Sequence, residues 1–171
     1  MVERLREAMQ PGKHGNLLYE VLGGDVLVVP CPRSSLLTKG ALWPPKVICD
    51  ELVSQGLAMR NAAILERIEA VQKSSTAASD KRPKPLDHIL SMKVRAQLEL
   101  TPKRITIVDD VITRGATLIA AASHVKHQFP EAEVKVFATV RTKSFDPDVG
   151  SILDPVVGEI SFNGVDANRQ P

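Results

Sequence analysis

The stretch Arg104-Ile-Thr-Ile-Val-Asp-Asp-Val-Ile-Thr-Arg-Gly-Ala-Thr117 decides the fold. Ile105, Ile107 and Val108 are β-branched and bounded by charge, which predicts a buried central strand that stops at Asp109-Asp110. From Leu118 the apolar positions become 118, 122, 125 and 129, a helical spacing that Pro130 closes. The segment therefore reads strand, loop, helix.

That junction has the chemistry to hold a phosphorylated sugar. The N–H groups of Thr113, Arg114, Gly115, Ala116 and Thr117 open a helix without intrahelical partners, so with the hydroxyls of Thr113 and Thr117 they can ring an anion at the positive end of the helix dipole. Each hydrogen bond to a charged group contributes about 1.5–3 kcal/mol. Gly115, lacking a Cβ, lets the backbone come close. Asp109 and Asp110 accept hydrogen bonds when ionised, and adjacent sugar hydroxyls donate them at matching spacing. Phosphate at one end and diol at the other describe a ribose 5-phosphate. A strand that merely ends in a tight acidic turn is the plain alternative.

Residues Ile107 to Thr117 resemble the phosphoribosyl-pyrophosphate (PRPP) signature of type I phosphoribosyltransferases. The resemblance implies that Asp109 and Asp110 hold the ribose 2′- and 3′-hydroxyls as the catalytic carboxylates. Thr113, Arg114, Gly115, Ala116 and Thr117 would then bind the 5′-phosphate. Arg114 departs from the pattern, standing where the family usually has a small hydroxyl residue; it either adds charge to the phosphate or faces water. Val28-Val-Pro-Cys-Pro-Arg33, followed by Gly40 and preceded by Lys13-His-Gly15, is similar to the start of the ComF subgroup, named for a competence protein. In type I enzymes the loop after this strand binds pyrophosphate, which by resemblance assigns Cys31, Pro32, Arg33, Ser34 and Ser35 to that role. Cys31 read instead as a nucleophile has no evident base nearby. Mg²⁺ is the implied cation; it would bridge pyrophosphate and ribose oxygens, with Asp109 and Asp110 acting on it indirectly, through the ribose or water.

Composition bounds the rest. At 171 residues, with 43% hydrophobic and 25% charged positions, the chain suits one globular domain. No apolar run approaches the roughly 20 residues of a membrane helix, and the N-terminus lacks a signal-peptide core. Cys31 and Cys49 are far too few for a disulfide framework, which points to a reducing cytoplasm. A net charge of +2 does not by itself call for nucleic acid.

Along the chain, residues 1–24 form an N-terminal helical segment: Val2 to Met9 predicts a short helix, and Leu17, Leu18, Val21 and Leu22 a second that Gly23-Gly24 stops. Asp25 to Val29 is an apolar strand, and Pro30 to Arg33 must then leave the sheet. Pro44-Pro45 starts a helix with Val47, Ile48, Leu52 and Val53 on one face, ended by Gly56. Between Leu57 and Gln72 the positions of Ile64, Leu65, Ile68 and Val71 favour a helix, although the family places a short strand there. Residues 73–95 read as a basic flexible loop whose Lys73, Lys81 or Arg82 would close over pyrophosphate, as lids do; its end, His88 to Val94, leads back into the sheet as strand or helix. Glu133 to Arg141 alternates as a further parallel strand. His124 and His127 stand three apart, but nothing completes a metal site. Residues 142–171 are a C-terminal extension with one strand, Val157 to Phe162, serving as a hood over the acceptor or as a partner contact.

These pieces predict a single α/β domain spanning 1–171, type I phosphoribosyltransferase-like, with a mostly parallel sheet and helices on both faces. Both anion loops follow strands, so both belong on the carboxyl edge. The implied activity is transfer of the 5-phosphoribosyl group from PRPP to an acceptor, possible nucleobases included, with release of pyrophosphate. The acceptor is unidentified, because none of the six aromatic residues is tied to the site by spacing. A second reading is a non-catalytic PRPP-binding regulatory module linked to DNA uptake or mobile-element biology. A third gives residues 73–95 a nucleic-acid partner. Many relatives are dimers, which makes a homodimer the implied assembly.

Overall fold

The computed structural model describes residues 15–73, 81–95, 101–142 and 155–170. Four parallel strands make the central sheet: β1 (Gly23–Pro30), β2 (Ala58–Asn61), β5 (Arg104–Ile112) and β6 (Glu133–Arg141), in the order β2-β1-β5-β6. β5 is central because every residue from Ile105 to Val108 is buried. Its partners are β1, with Leu27 opposite Ile105 and Pro30 opposite Val108, and β6, with Arg104 opposite Glu133 through Ile112 opposite Arg141.

Alternation along these strands feeds two cores. Leu27, Val29, Ile105 and Ile107 point to one face and meet Leu118, Ala121 and Val125 of α4 (Ala116–Gln128). Val26, Val28 and Val108 point to the other and meet Ile48, Cys49 and Leu52 of α2 (Pro44–Ser54), with Leu18 of α1 (Gly15–Tyr19). Helices thus cover both faces, as runs of buried β-branched residues on a parallel sheet require. A two-stranded antiparallel sheet, β3 (Leu65–Arg67) with β4 (Met92–Val94), joins the α4 side together with α3 (Pro85–Leu90). A hairpin of β7 (Glu159–Phe162) and β8 (Ala167–Gln170) completes the described residues. No helix among them is long and apolar enough to cross a membrane.

Several expectations need correction. The strand does not stop at Asp109-Asp110: β5 runs on to Ile112, because Val111 and Ile112 keep their pairing with Val140 and Arg141. The segment from Leu57 to Gln72 holds strands rather than a helix. Gly56 ends α2 at φ +70, Gly23 N–H bonds Leu57 O at 2.8 Å, and Ala58 starts a strand beside β1. Further on, Leu65 and Arg67 are buried on either side of half-buried Glu66, a period of two. The second N-terminal helix is only Gly15–Tyr19, with Leu17 exposed, and β1 begins at Gly23 instead of being preceded by a glycine stop. The helix expected over 2–9 lies outside the described residues. So do 74–80 of the basic segment, whose remainder contains regular structure: Lys84 caps α3, and Lys93 and Arg95 pair with Glu66 at 3.7 and 3.6 Å. Its last residues are helix and then strand, but β4 pairs with β3 and does not join the central sheet. In the extension the strand is shorter than expected, Glu159–Phe162, and 143–154 are outside the described residues.

Candidate functional site

In the order β2-β1-β5-β6 the chain winds from β1 outward to β2, then from β5 outward to β6. The loops after β1 and β5 therefore diverge, and a crevice opens between them at the carboxyl edge. A cavity of about 580 Å³ occupies that position. Pro32, Arg33, Ser34 and Ser35 line it from the β1 side, and Asp109 through Leu118 from the β5 side. The two loops singled out in the sequence, some eighty residues apart, share one cavity.

Both carboxylates line it, but their surroundings differ. Alternation along β5 puts Asp109 in the row of Ile107 and Asp110 in the row of Val108, and at the strand's carboxyl edge both side chains line the one cavity. Burial, reinforced by Asp110 beside it, pushes the Asp109 carboxyl up to about 7. Its Oδ1 accepts the Asp110 N–H at 3.0 Å, and Asp110 Oδ1 accepts the Val111 N–H at 3.0 Å. Thr139 Oγ1 donates to the Asp110 carbonyl at 2.8 Å, fixing the strand from the β6 side.

Beyond them the chain turns through Thr113, Arg114 and Gly115 into α4. Gly115 is the N-cap at φ +91, a left-handed conformation that favours glycine. Ile160 of the hairpin packs against it: a Cβ on Gly115 would lie 2.6 Å from Ile160 Cγ2. Arg114 neither stands alone beside the cavity nor simply faces water, as its Nη1 donates to Asp166 Oδ2 at 2.6 Å. The hairpin is thus strapped to the turn it covers. The described part of the extension therefore packs on the turn between β5 and α4.

On the β1 side, Arg33 Nη1 donates to Leu42 O at 2.6 Å. Leu42, Pro44 and Pro45 give the cavity an apolar wall, to which no Phe, Tyr or Trp among the described residues contributes. Cys31 is not available to an anion, contrary to the sequence expectation. Its N–H donates to Val108 O at 2.8 Å, its carbonyl accepts from Trp43 Nε1 at 2.8 Å, and its side chain is buried. Burial, with Asp109 close by, pushes its thiol well above the ordinary range, which removes the thiolate a nucleophile needs. Lys73 and Arg82 line the cavity, whereas exposed Lys81 does not.

Sequence reasoning missed two residues. Arg67 and His88 line the cavity while only 5% and 2% exposed. Arg67 Nε donates to Arg33 O at 2.9 Å, and its Nη1 to Ser91 Oγ at 2.6 Å. No carboxylate pairs with it among the described residues. The signal was the Leu65-Glu66-Arg67 alternation, which puts a cation at an inward position once the segment is read as a strand.

His124 Nε2 contacts Ile89 O at 3.0 Å, and the described residues hold no group of three or more side chains able to ligate a metal. The donor set at the cavity, two adjacent carboxylates, fits a Mg²⁺ that keeps waters and takes most of its ligands from phosphates. No protein-family model matches the chain, and no curated protein matches it.

Proposed function

We propose that this cavity binds PRPP and that the protein transfers its 5-phosphoribosyl group to an acceptor, releasing pyrophosphate, on a type I phosphoribosyltransferase-like fold. The observation that carries the reading is the convergence of two anion loops and an acid pair on one switch-point cavity. Among the described residues Arg33, Arg67, Lys73, Arg82 and Arg114 line it, Arg114 paired with Asp166, together with the carboxylates of Asp109 and Asp110, a mixed lining suited to a ligand with phosphate charges and a diol. The volume of about 580 Å³ lies in the range of small-molecule sites.

In this reading Asp109 and Asp110 orient the ribose through its hydroxyls and place negative charge near the anomeric carbon, where positive charge develops as the bond to pyrophosphate breaks. The N–H groups at the start of α4 and the hydroxyls of Thr113 and Thr117 hold the 5′-phosphate. Arg33, Ser34 and Ser35 face the leaving group, with Arg67 beneath them. Mg²⁺, held through the ligand and water by Asp109 and Asp110, would supply charge neutralisation on pyrophosphate. Leu42, Pro44 and Pro45 offer the acceptor an apolar surface.

Incubation with PRPP, Mg²⁺ and a panel of nucleobases tests the activity. Steady pyrophosphate release with one base supports transfer; tight PRPP binding without release under any condition leaves the non-catalytic module. Asp110→Asn should weaken PRPP binding about 10- to 100-fold by calorimetry, the loss of one hydrogen bond to an ionised acceptor. Unchanged affinity in a folded variant removes Asp110 from the pentose site.

A further inference from the structure

Arg67, His88 and Thr117 form a continuous hydrogen-bonded line beneath the cavity. Arg67 Nη2 lies 3.4 Å from His88 Nδ1, and His88 Nε2 lies 3.3 Å from Thr117 Oγ1. The line links β3, α3 and the first turn of α4. Through the Arg67 Nε bond to Arg33 O it also reaches the loop after β1.

The donor inventory fixes the direction of every bond in it. A guanidinium only donates, so His88 Nδ1 must be the accepting nitrogen. Burial, together with the Arg67 charge, pushes His88 down to about 4, so at neutral pH the ring carries one proton. With Nδ1 accepting, that proton sits on Nε2 and is donated to Thr117 Oγ1. The Thr117 oxygen is then occupied as an acceptor, and its own proton is left for another partner. Thr117 lines the cavity at the start of α4.

We propose that Arg67 and His88 are positioning residues that hold the Thr117 hydroxyl as a donor toward a phosphoryl group bound at the start of α4. This rests on the phosphate-binding role given above to that turn. The opposite tautomer would let Thr117 donate to the ring instead, and would set two donors, Nδ1–H and Arg67 Nη2–H, against each other. The buried cation therefore selects the tautomer, and the tautomer selects what the hydroxyl offers the ligand. Arg67 is costly to bury without a carboxylate, and an anion in the cavity it lines would offset that cost.

Two measurements test this. Nitrogen-15 NMR of the His88 ring, from pH 5.5 to 8, should show Nε2 protonated and Nδ1 bare in the unliganded protein; the Nδ1–H tautomer overturns the proposal whatever the cavity binds. Calorimetry with ribose 5-phosphate then separates the two ideas, since failure of the wild type to bind it would count against the phosphate site itself. Given binding, Thr117→Val should lose about 10-fold in affinity, one hydrogen bond to a charged group. His88→Ala should lose a similar amount, and the double variant no more than Thr117→Val alone. Losses that multiply in the double variant would overturn the relay. His88→Gln, which keeps an N–H able to reach Thr117, should retain most of the affinity and guards against a folding defect in His88→Ala.

Discussion

Asp109→Asn is expected to stabilise the unliganded protein at pH 8, by roughly 8–16 °C in melting temperature, and to leave it nearly unchanged at pH 4. In the unfolded chain this carboxyl titrates near 3.8, and in the folded protein burial raises it to about 7. Between those values the folded state binds more protons than the unfolded one, so stability is full below pH 4, falls as pH rises toward 7, and stays low above. The three-unit gap corresponds to a difference on the order of 4 kcal/mol. Asparagine carries no charge at either pH and removes the dependence. Thermal melts of both proteins at pH 4, 6 and 8 check this; a stability difference independent of pH would show that the buried charge is not its source. A charge kept at such expense suits a site that needs an acceptor, and Asp109→Asn should correspondingly weaken PRPP binding.

Gly115→Ala should destabilise the protein by about 2–5 kcal/mol. Two separate effects add. At φ +91 any residue with a Cβ is strained, by roughly 1–2 kcal/mol. The new methyl would also lie 2.6 Å from Ile160 Cγ2 and 2.9 Å from Cδ1, contacts that force the hairpin to move, at about 1–3 kcal/mol. Ile160→Ala in the same chain should relieve the second effect and leave the first. Denaturant unfolding of the wild type, both single variants and the pair measures the cycle. A Gly115→Ala protein within about 0.5 kcal/mol of wild type would mean that the hairpin does not press on the turn.

The central strand and its helix were legible because Ile105, Ile107 and Val108 are β-branched and the switch to helical spacing at Leu118 is abrupt. Local pattern carries such elements. It failed between Leu57 and Gln72, where Ile64, Leu65 and Ile68 mimic a helical stripe, but pairing with β1 and β4 decides the outcome. The end of β5 was misjudged for a similar reason: two acids suggest a turn, yet hydrogen bonds to β6 continue through them. Within the cavity, residues on the two motif loops could be named in advance, and all but Cys31 line it. Cys31 failed because its backbone groups are already used by Val108 and Trp43. Arg67 and His88 lie on elements outside any motif, and only the tertiary packing brings them under the loops.

The ladder between β5 and β6, continued past both acids, gives the proposed sugar site a mechanical property. Ordinary binding loops stiffen as a ligand arrives, and part of the contact energy is consumed in that ordering. Here the acids ride on a framework already immobilised by folding, so they cannot shift to follow a hydroxyl of altered configuration. Stereochemical tolerance should be correspondingly narrow, visible as a wide affinity gap between ribose 5-phosphate and its 2-epimer, arabinose 5-phosphate.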